Sequence, residues 1–205
     1  MSLFPIFIKL GGRLVVVIGG GNVAEAKIPG TLSAGAQIRL IAPAVTPQIA
    51  EWVRLGKIDW RPKEFETADL DGAFLAIAAT SAPSANEAVF REAEARGILC
   101  NAVDDIKHCH FYYGAVVQRG DLQIAISTNG KSPALAQRLR QEFETQFVPE
   151  YELWLQWLGA ARETLRASSP SPDTTKRLLH ELASRPMFEQ FVREAKRHPG
   201  QRGTT

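Results

Sequence analysis

Six residues carry the clearest chemical signal in this chain. Gly19-Gly20-Gly21-Asn22-Val23-Ala24 has the form G-x-G-x-x-A, directly after the apolar, β-branched run Leu14–Ile18 and before a helix-forming segment. A dinucleotide-binding turn needs that order. Gly19 permits a tight turn, Gly21 lets the backbone approach a pyrophosphate, and Ala24 lets the following helix sit close on the strand. The first free N–H groups of that helix, at its positive dipole end, face an anion. Glycine turns also join strands to helices with no ligand. The order of strand, turn and helix favours nucleotide binding, with Gly19, Gly21, Asn22 and Val23 as contacts.

One part of the fingerprint is missing. An NAD site usually places Asp or Glu about 20 residues beyond the glycines to hold the ribose hydroxyls. Here the second strand, Gln37–Ile41, runs into Ala42-Pro43-Ala44. Neither a carboxylate nor an arginine stands at its tip, so this strand specifies neither NAD nor NADP. The ribose falls to backbone groups or small residues near Pro43 and Ala44.

Asp104 and Asp105 follow the strand-like run Ile98–Ala102. A carboxylate there can act as a general base or bind a cation. The plainer reading is a solvated loop or a helix cap, and the position next to the expected nicotinamide edge tips Asp104 to function. His108-Cys109-His110 looks like a metal cluster. Neighbouring side chains point apart in extended structure, so ordinary loop residues are expected and no metal site is assigned. Lys107, Arg119, Lys131, Arg138 and Arg140 are each expected to be surface charges, although several facing one cleft would suit a polyanion. Neither a Tyr-x-x-x-Lys pair, a G-x-S-x-G elbow nor a Walker A loop occurs.

Strands and helices must position these residues. The pattern gives strands at Leu14–Ile18, Gln37–Ile41, Ile58–Arg61, Ala73–Ala78 and Ile98–Ala102. Helices are predicted at Val23–Ala34, Pro47–Leu55 and Ser84–Arg96. Such alternation implies an α/β, Rossmann-like parallel sheet covered on both faces. Ligands bind at the carboxyl ends of such strands, which places Gly21, Pro43, Thr80 and Asp104 on one edge. Pro29-Gly30 predicts a bend or short break in the first helix, because an interior proline costs about 3 kcal/mol. Gly114–Arg119 and Leu122–Ser127 then read as a hairpin around Gly120-Asp121. Ser132 and Pro133 start a helix with the apolar stripe Leu135, Leu139, Phe143 and Phe147. A hairpin and one amphipathic helix attached to a finished domain suggest a dimerisation unit. Leu153, Trp154, Trp157, Leu158, Ala161 and Leu165 fit one face of a further helix. A loop over 168–173 and shorter helices at Thr174–Ala183 and Met187–Lys196 follow. The expected divisions are 1–112 for nucleotide binding, 113–149 for dimerisation, 150–197 for a helical region and 198–205 for a disordered tail.

Composition bounds the alternatives. The chain has 205 residues, 45% hydrophobic and 22% charged, with a net charge of +2. That length supports one good core and a smaller second one. The charge does not suggest a nucleic-acid binder. Cys100 and Cys109 form no CxxC or zinc framework, and Cys100 reads as a small buried hydrophobe. The apolar patch Phe4–Ile8 lacks a basic flank and a cleavage site, and the apolar runs are strand-length. A soluble, cytoplasmic protein with no membrane partner is expected.

The chain resembles the precorrin-2 dehydrogenase/sirohydrochlorin ferrochelatase module of siroheme synthase. The matching blocks are Phe4–Phe7, Val17–Lys27, Ala76–Thr80 with Asn86, Cys100–Asp105, and Ile126–Ala136. They span residues 4 to about 147 in order. The resemblance implies NAD-dependent oxidation of precorrin-2 to sirohydrochlorin, followed in some members by Fe(II) insertion, in a homodimer formed through Gly114–Phe147. It places the key acid on Asp104 and cofactor contacts on Asn22, Val23, Pro43 and Ala44, beside Gly19, Gly21 and Thr80. Asn101, Thr128 and Lys131 are candidate substrate contacts. Departures from the family pattern are Asn22 for a usual Asp, Thr128 for a frequent Ser, and Pro29. The methyltransferase activity carried by a domain fused in some relatives is not expected of these residues. Competing readings are a chelatase without redox turnover and a non-catalytic NAD-sensing module.

Overall fold

The computed structural model describes residues 3–168 and 171–197. Its contacts divide the chain into two compact units, one ending at Tyr113 and one beginning at Gly114. The first holds a five-stranded sheet in the order β3-β2-β1-β4-β5. The strands are β1 (Leu14–Ile18), β2 (Gln37–Ile41), β3 (Ile58–Arg61), β4 (Leu75–Ala78) and β5 (Leu99–Ala102). All pairings are parallel. The connecting helices are α1 (Asn22–Ser33), α2 (Pro47–Arg54) and α3 (Pro83–Ala95). This is the Rossmann-like sheet expected from the alternation, with element ends differing by a residue or two.

Strand period and burial agree. Val15 and Val17 point to one face, where they pack with Ile28 and Ile49; Val16 and Ile18 point to the other, with Val89 and Ala93. A central parallel strand covered on both faces must be apolar throughout. Each of these β1 side chains stabilises the fold by about 1.5–3 kcal/mol through burial. Strand order reverses between β1 and β4, and ligands of open α/β sheets bind at such a point.

The predicted break at Pro29 does not occur: α1 is continuous from Asn22 to Ser33, with Pro29 inside it. Pro29 cannot donate to the carbonyl one turn back. The next turn is held by Thr31, whose Oγ1 donates to the Lys27 carbonyl at 2.9 Å. Ile28 and Thr31 are also buried. Burying this helix against the sheet outweighs the roughly 3 kcal/mol proline penalty.

The second unit starts with an antiparallel hairpin, β6 (Ala115–Arg119) and β7 (Leu122–Ile126). Gly120 turns it at φ +56°. Then come α4 (Pro133–Gln146), α5 (Glu150–Ala167), α6 (Pro172–Leu182) and α7 (Arg185–Arg197). Ser132 caps α4 by accepting from the Leu135 N–H. Arg119 ties β6 to the end of α4, donating to the Phe147 carbonyl at 2.7 Å and the Glu144 carbonyl at 3.1 Å. Pro172 and Asp173, expected in a loop, form the first turn of α6. Ser171 caps that turn by accepting from Thr174 N–H, and proline suits a first turn because its missing N–H has no partner there. Trp154 and Phe188 are buried, with Tyr151 stacked on Phe188 at 4.1 Å between ring centres. The expected tail 198–205 lies outside the described residues. Among the described residues no helix is long and apolar enough to cross a membrane.

Candidate functional site

The carboxyl ends of the strands are stitched into one edge. Gly19 N–H donates to the Ile41 carbonyl at 2.9 Å and Thr46 N–H to the Gly20 carbonyl at 3.0 Å, which joins the glycine turn to the β2–α2 loop. Ala79 N–H donates to Ile18 at 2.8 Å and Val103 N–H to Ala78 at 2.9 Å, which joins the exits of β1, β4 and β5. Gly21, Pro43, Thr80 and Asp104 thus lie along one edge of the sheet.

The glycine turn fits a dinucleotide. Gly19 sits at φ +116°, and a Cβ there would meet the Ala79 carbonyl oxygen at 2.4 Å. A Cβ on Gly20 would meet the Ala44 carbonyl oxygen at 2.1 Å. Both positions exclude any side chain. Gly21 differs: a Cβ there meets nothing within 4 Å, so its bare backbone faces open space. It is the N-cap of α1, and no side chain caps that helix. The N–H groups of Asn22 and Val23 stand in the first turn of that helix, where no intrahelical carbonyl is available to them and where N–H groups suit an anion.

Thr80 is held by a residue to which sequence reasoning gave no role. The buried Asn86 accepts from Thr80 N–H at 3.1 Å and donates from Nδ2 to the Thr80 carbonyl at 3.1 Å. Its Oδ1 also accepts from Thr80 Oγ1 at 2.8 Å. Thr80 is therefore fixed in place, and Asn86, in the first turn of α3, is the clamp.

Asp104 is exposed and has φ +64°, a left-handed conformation that non-glycine residues seldom adopt. The loop beyond it is tightly bound. His108 Nδ1 lies 2.6 Å from Asp105 Oδ2, and this contact holds the Asp105 carboxyl below the usual carboxylate range. Phe90 packs against both His108 and His110. His110 Nδ1 accepts from Cys100 N–H at 3.0 Å. Cys109 Sγ lies 3.1 Å from the carbonyls of Ala102 and Asp105. His108, Cys109 and His110 are thus fasteners of the loop, and among the described residues no three His, Cys, Asp or Glu side chains converge as metal ligands. Burial pushes the Cys100 thiol up to about 12, as befits a core residue.

The other sequence candidates divide. Asn101 is buried, and its Nδ2 donates to the Phe111 carbonyl at 2.8 Å and contacts Cys109 Sγ at 3.3 Å. Its amide donors hold the loop. Thr128 and Lys131 belong to the second unit, where Thr128 Oγ1 accepts from Ser132 N–H at 3.2 Å. Arg138 pairs with Glu142 and Arg140 with Glu144. One contact was missed: Thr46 Oγ1 donates to Glu25 Oε2 at 2.5 Å, linking α1 to the start of α2. Glu25 stands next to the motif's Ala24, and no local signal marks a partner 21 residues away.

Comparisons with known proteins agree with this architecture. Residues 6–115 match the family described as putative NAD(P)-binding, and residues 119–146 match the family described as sirohaem biosynthesis protein, central. The siroheme synthase of Photorhabdus laumondii is 42% identical over 166 residues, which cover 81% of this chain and 35% of that protein. The siroheme synthase of Chromobacterium violaceum is 34% identical over 192 residues, covering 94% of this chain and 41% of that protein. The chain thus spans well under half the length of these relatives. Among solved structures, SirC, a precorrin-2 dehydrogenase, superposes with a TM-score of 0.77 at 27% identity, covering 95% of this chain and 100% of that one.

Proposed function

The chain belongs to the NAD(P)-binding family found in siroheme synthases, and from that membership we propose that it oxidises precorrin-2 to sirohydrochlorin with NAD. The observation that carries this reading is one sheet edge that holds both an uncapped helix start behind Gly21 and the exposed carboxylate of Asp104. Bound NAD supplies a ring that accepts a hydride. The backbone at Gly21, Asn22 and Val23 takes the pyrophosphate, Pro43 and Ala44 line the ribose, and Thr80 borders the nicotinamide. Asp104 accepts the proton that leaves as the hydride is removed, so the pair of electrons and both hydrogens are accounted for. The same carboxylate suits removal of pyrrole N–H protons if Fe(II), as a substrate, is inserted afterwards.

We further assign 113–149 to dimerisation and 150–197 to a helical region. Val116 and Leu135 leave apolar surface exposed within 113–149, and such surface marks association sites.

The test is an anaerobic assay of the purified chain with precorrin-2, with and without NAD, following macrocycle absorbance. Conversion only with NAD supports the dehydrogenase, and Fe(II) added to the product tests chelation. No conversion by a folded protein overturns the reading. Light scattering of the same sample reports the dimer.

A further inference from the structure

We propose that Glu25 is the residue that makes this site select NAD over NADP. The inference rests on the reading of the first unit as a dinucleotide site. In such folds the loop after the second strand meets the adenosine ribose, where a carboxylate favours the 2′-hydroxyl and a cation favours the 2′-phosphate. The loop here, Ala42–Thr46, carries neither. The structure brings a carboxylate to it from α1. Glu25 Oε2 accepts from Thr46 Oγ1 at 2.5 Å, and Thr46 N–H donates to the Gly20 carbonyl, so the glycine turn, Glu25 and the loop form one unit.

Thr46 is also the N-cap of α2, and its hydroxyl oxygen accepts from Ile49 N–H at 3.3 Å. A 2′-phosphate brought to this loop would be drawn to the positive end of α2. The Glu25 carboxylate already stands there. Cations that could offset it are engaged elsewhere. At the end of the neighbouring β3, Arg61 lies 3.6 Å from both Asp59 and Asp69, and Lys63 lies 2.9 Å from Glu66 and 3.1 Å from Asp69. A dianionic 2′-phosphate would meet a carboxylate that, among the described residues, no side-chain cation pairs. Rejection by like charge is a common source of specificity. Glu25 thereby supplies the negative charge that the tip of β2 lacks, acting by repulsion of a 2′-phosphate and not by holding the ribose.

The experiment is fluorescence titration of NADH and NADPH into the purified wild-type chain and Glu25→Gln, at low and high salt. Glutamine keeps the length and the acceptor for Thr46, so the loop stays tied. The expected result is an NADPH/NADH dissociation-constant ratio that falls by about tenfold in Glu25→Gln, with NADH binding little changed, and a wild-type ratio that shrinks as salt rises. An unchanged ratio, or equal weakening of both nucleotides, overturns the assignment and leaves Glu25 as a brace. Thr46→Val keeps the carboxylate and is expected to preserve the preference for NADH while weakening both nucleotides; loss of the preference there would also count against Glu25. Failure of both nucleotides to bind the folded wild-type chain defeats the dinucleotide reading itself, separately from the role of Glu25.

Discussion

His108 Nδ1 and Asp105 Oδ2 stand 2.6 Å apart, one residue beyond the left-handed Asp104. The contact closes a short turn, with Lys107 N–H also donating to Asp105 Oδ1 at 3.2 Å. Because Asp105 is held below the usual carboxylate range, its contribution to stability is whole above the ordinary carboxylate value. It is lost as pH falls through the lower folded value. The advantage of the wild type over Asp105→Asn should therefore be constant from neutral pH to about pH 5 and shrink below about pH 4. Urea midpoints of the two proteins across that range measure it. An advantage undiminished in acid would mean that the Asp105 carboxylate is not its source.

The glycines make separable predictions. Gly20→Ala drives a Cβ into the Ala44 carbonyl, with Ala42 Cβ and Val45 Cγ1 at 3.0 Å. Backbone cannot yield cheaply, and a loss of about 1–3 kcal/mol is expected from overpacking, together with loss of nucleotide binding. Gly21→Ala meets open space and should change stability by less than about 0.5 kcal/mol. Its methyl group stands where the pyrophosphate must approach, so NADH affinity should fall about tenfold or more. Denaturant midpoints and NADH titration of both variants check the contrast. Equal effects of the two substitutions on both measurements would contradict the division between a packing glycine and a binding glycine.

The glycine turn and the alternation of strands with helices were legible because each is local: an apolar β-branched run, a turn chemistry and a helix start all lie within a few residues. The shared edge of Gly21, Pro43, Thr80 and Asp104 followed from parallel topology alone. Contacts made by chain return were not legible. The loop after Asn101 folds back so that its amide donates to the Phe111 carbonyl, a contact that no local pattern signals. Glu25 and Thr46 meet only because β1 and β2 pair in register. Pro29 was read from helix propensity, and burial of Ile28 and Thr31 overrode it.

Asp104 allows conformation and chemistry to be separated. Its φ of +64° costs an ordinary L-residue about 1–2 kcal/mol, less for Asp. Asp104→Gly should thus be as stable as the wild type or slightly more so. Asp104→Asn keeps the shape and removes the charge. Both should lose precorrin-2 turnover by about 10²–10⁴-fold, the range for removal of a general base, with NADH affinity unchanged. Steady-state rates beside thermal unfolding check this. Turnover retained in either variant would move the proton acceptor elsewhere.

Phe188 tests whether the two units stand on separate cores. It is 4% exposed, stacked on Tyr151 and 5.0 Å from the Trp154 ring centre, and all three residues lie in the unit that begins at Gly114. Truncation to alanine leaves a cavity among aromatic rings and should cost about 3–5 kcal/mol. The sheet core around β1 shares none of these residues. Phe188→Ala should therefore unfold its own unit at lower denaturant while NADH binding in the first unit persists at the wild-type affinity. Tryptophan fluorescence reports both cores, since Trp154 lies beside the lesion and Trp52 and Trp60 pack against the sheet. Two separated transitions are expected in the variant. A single transition shifted as a whole, with NADH affinity lost in step, would show that the cores fold as one.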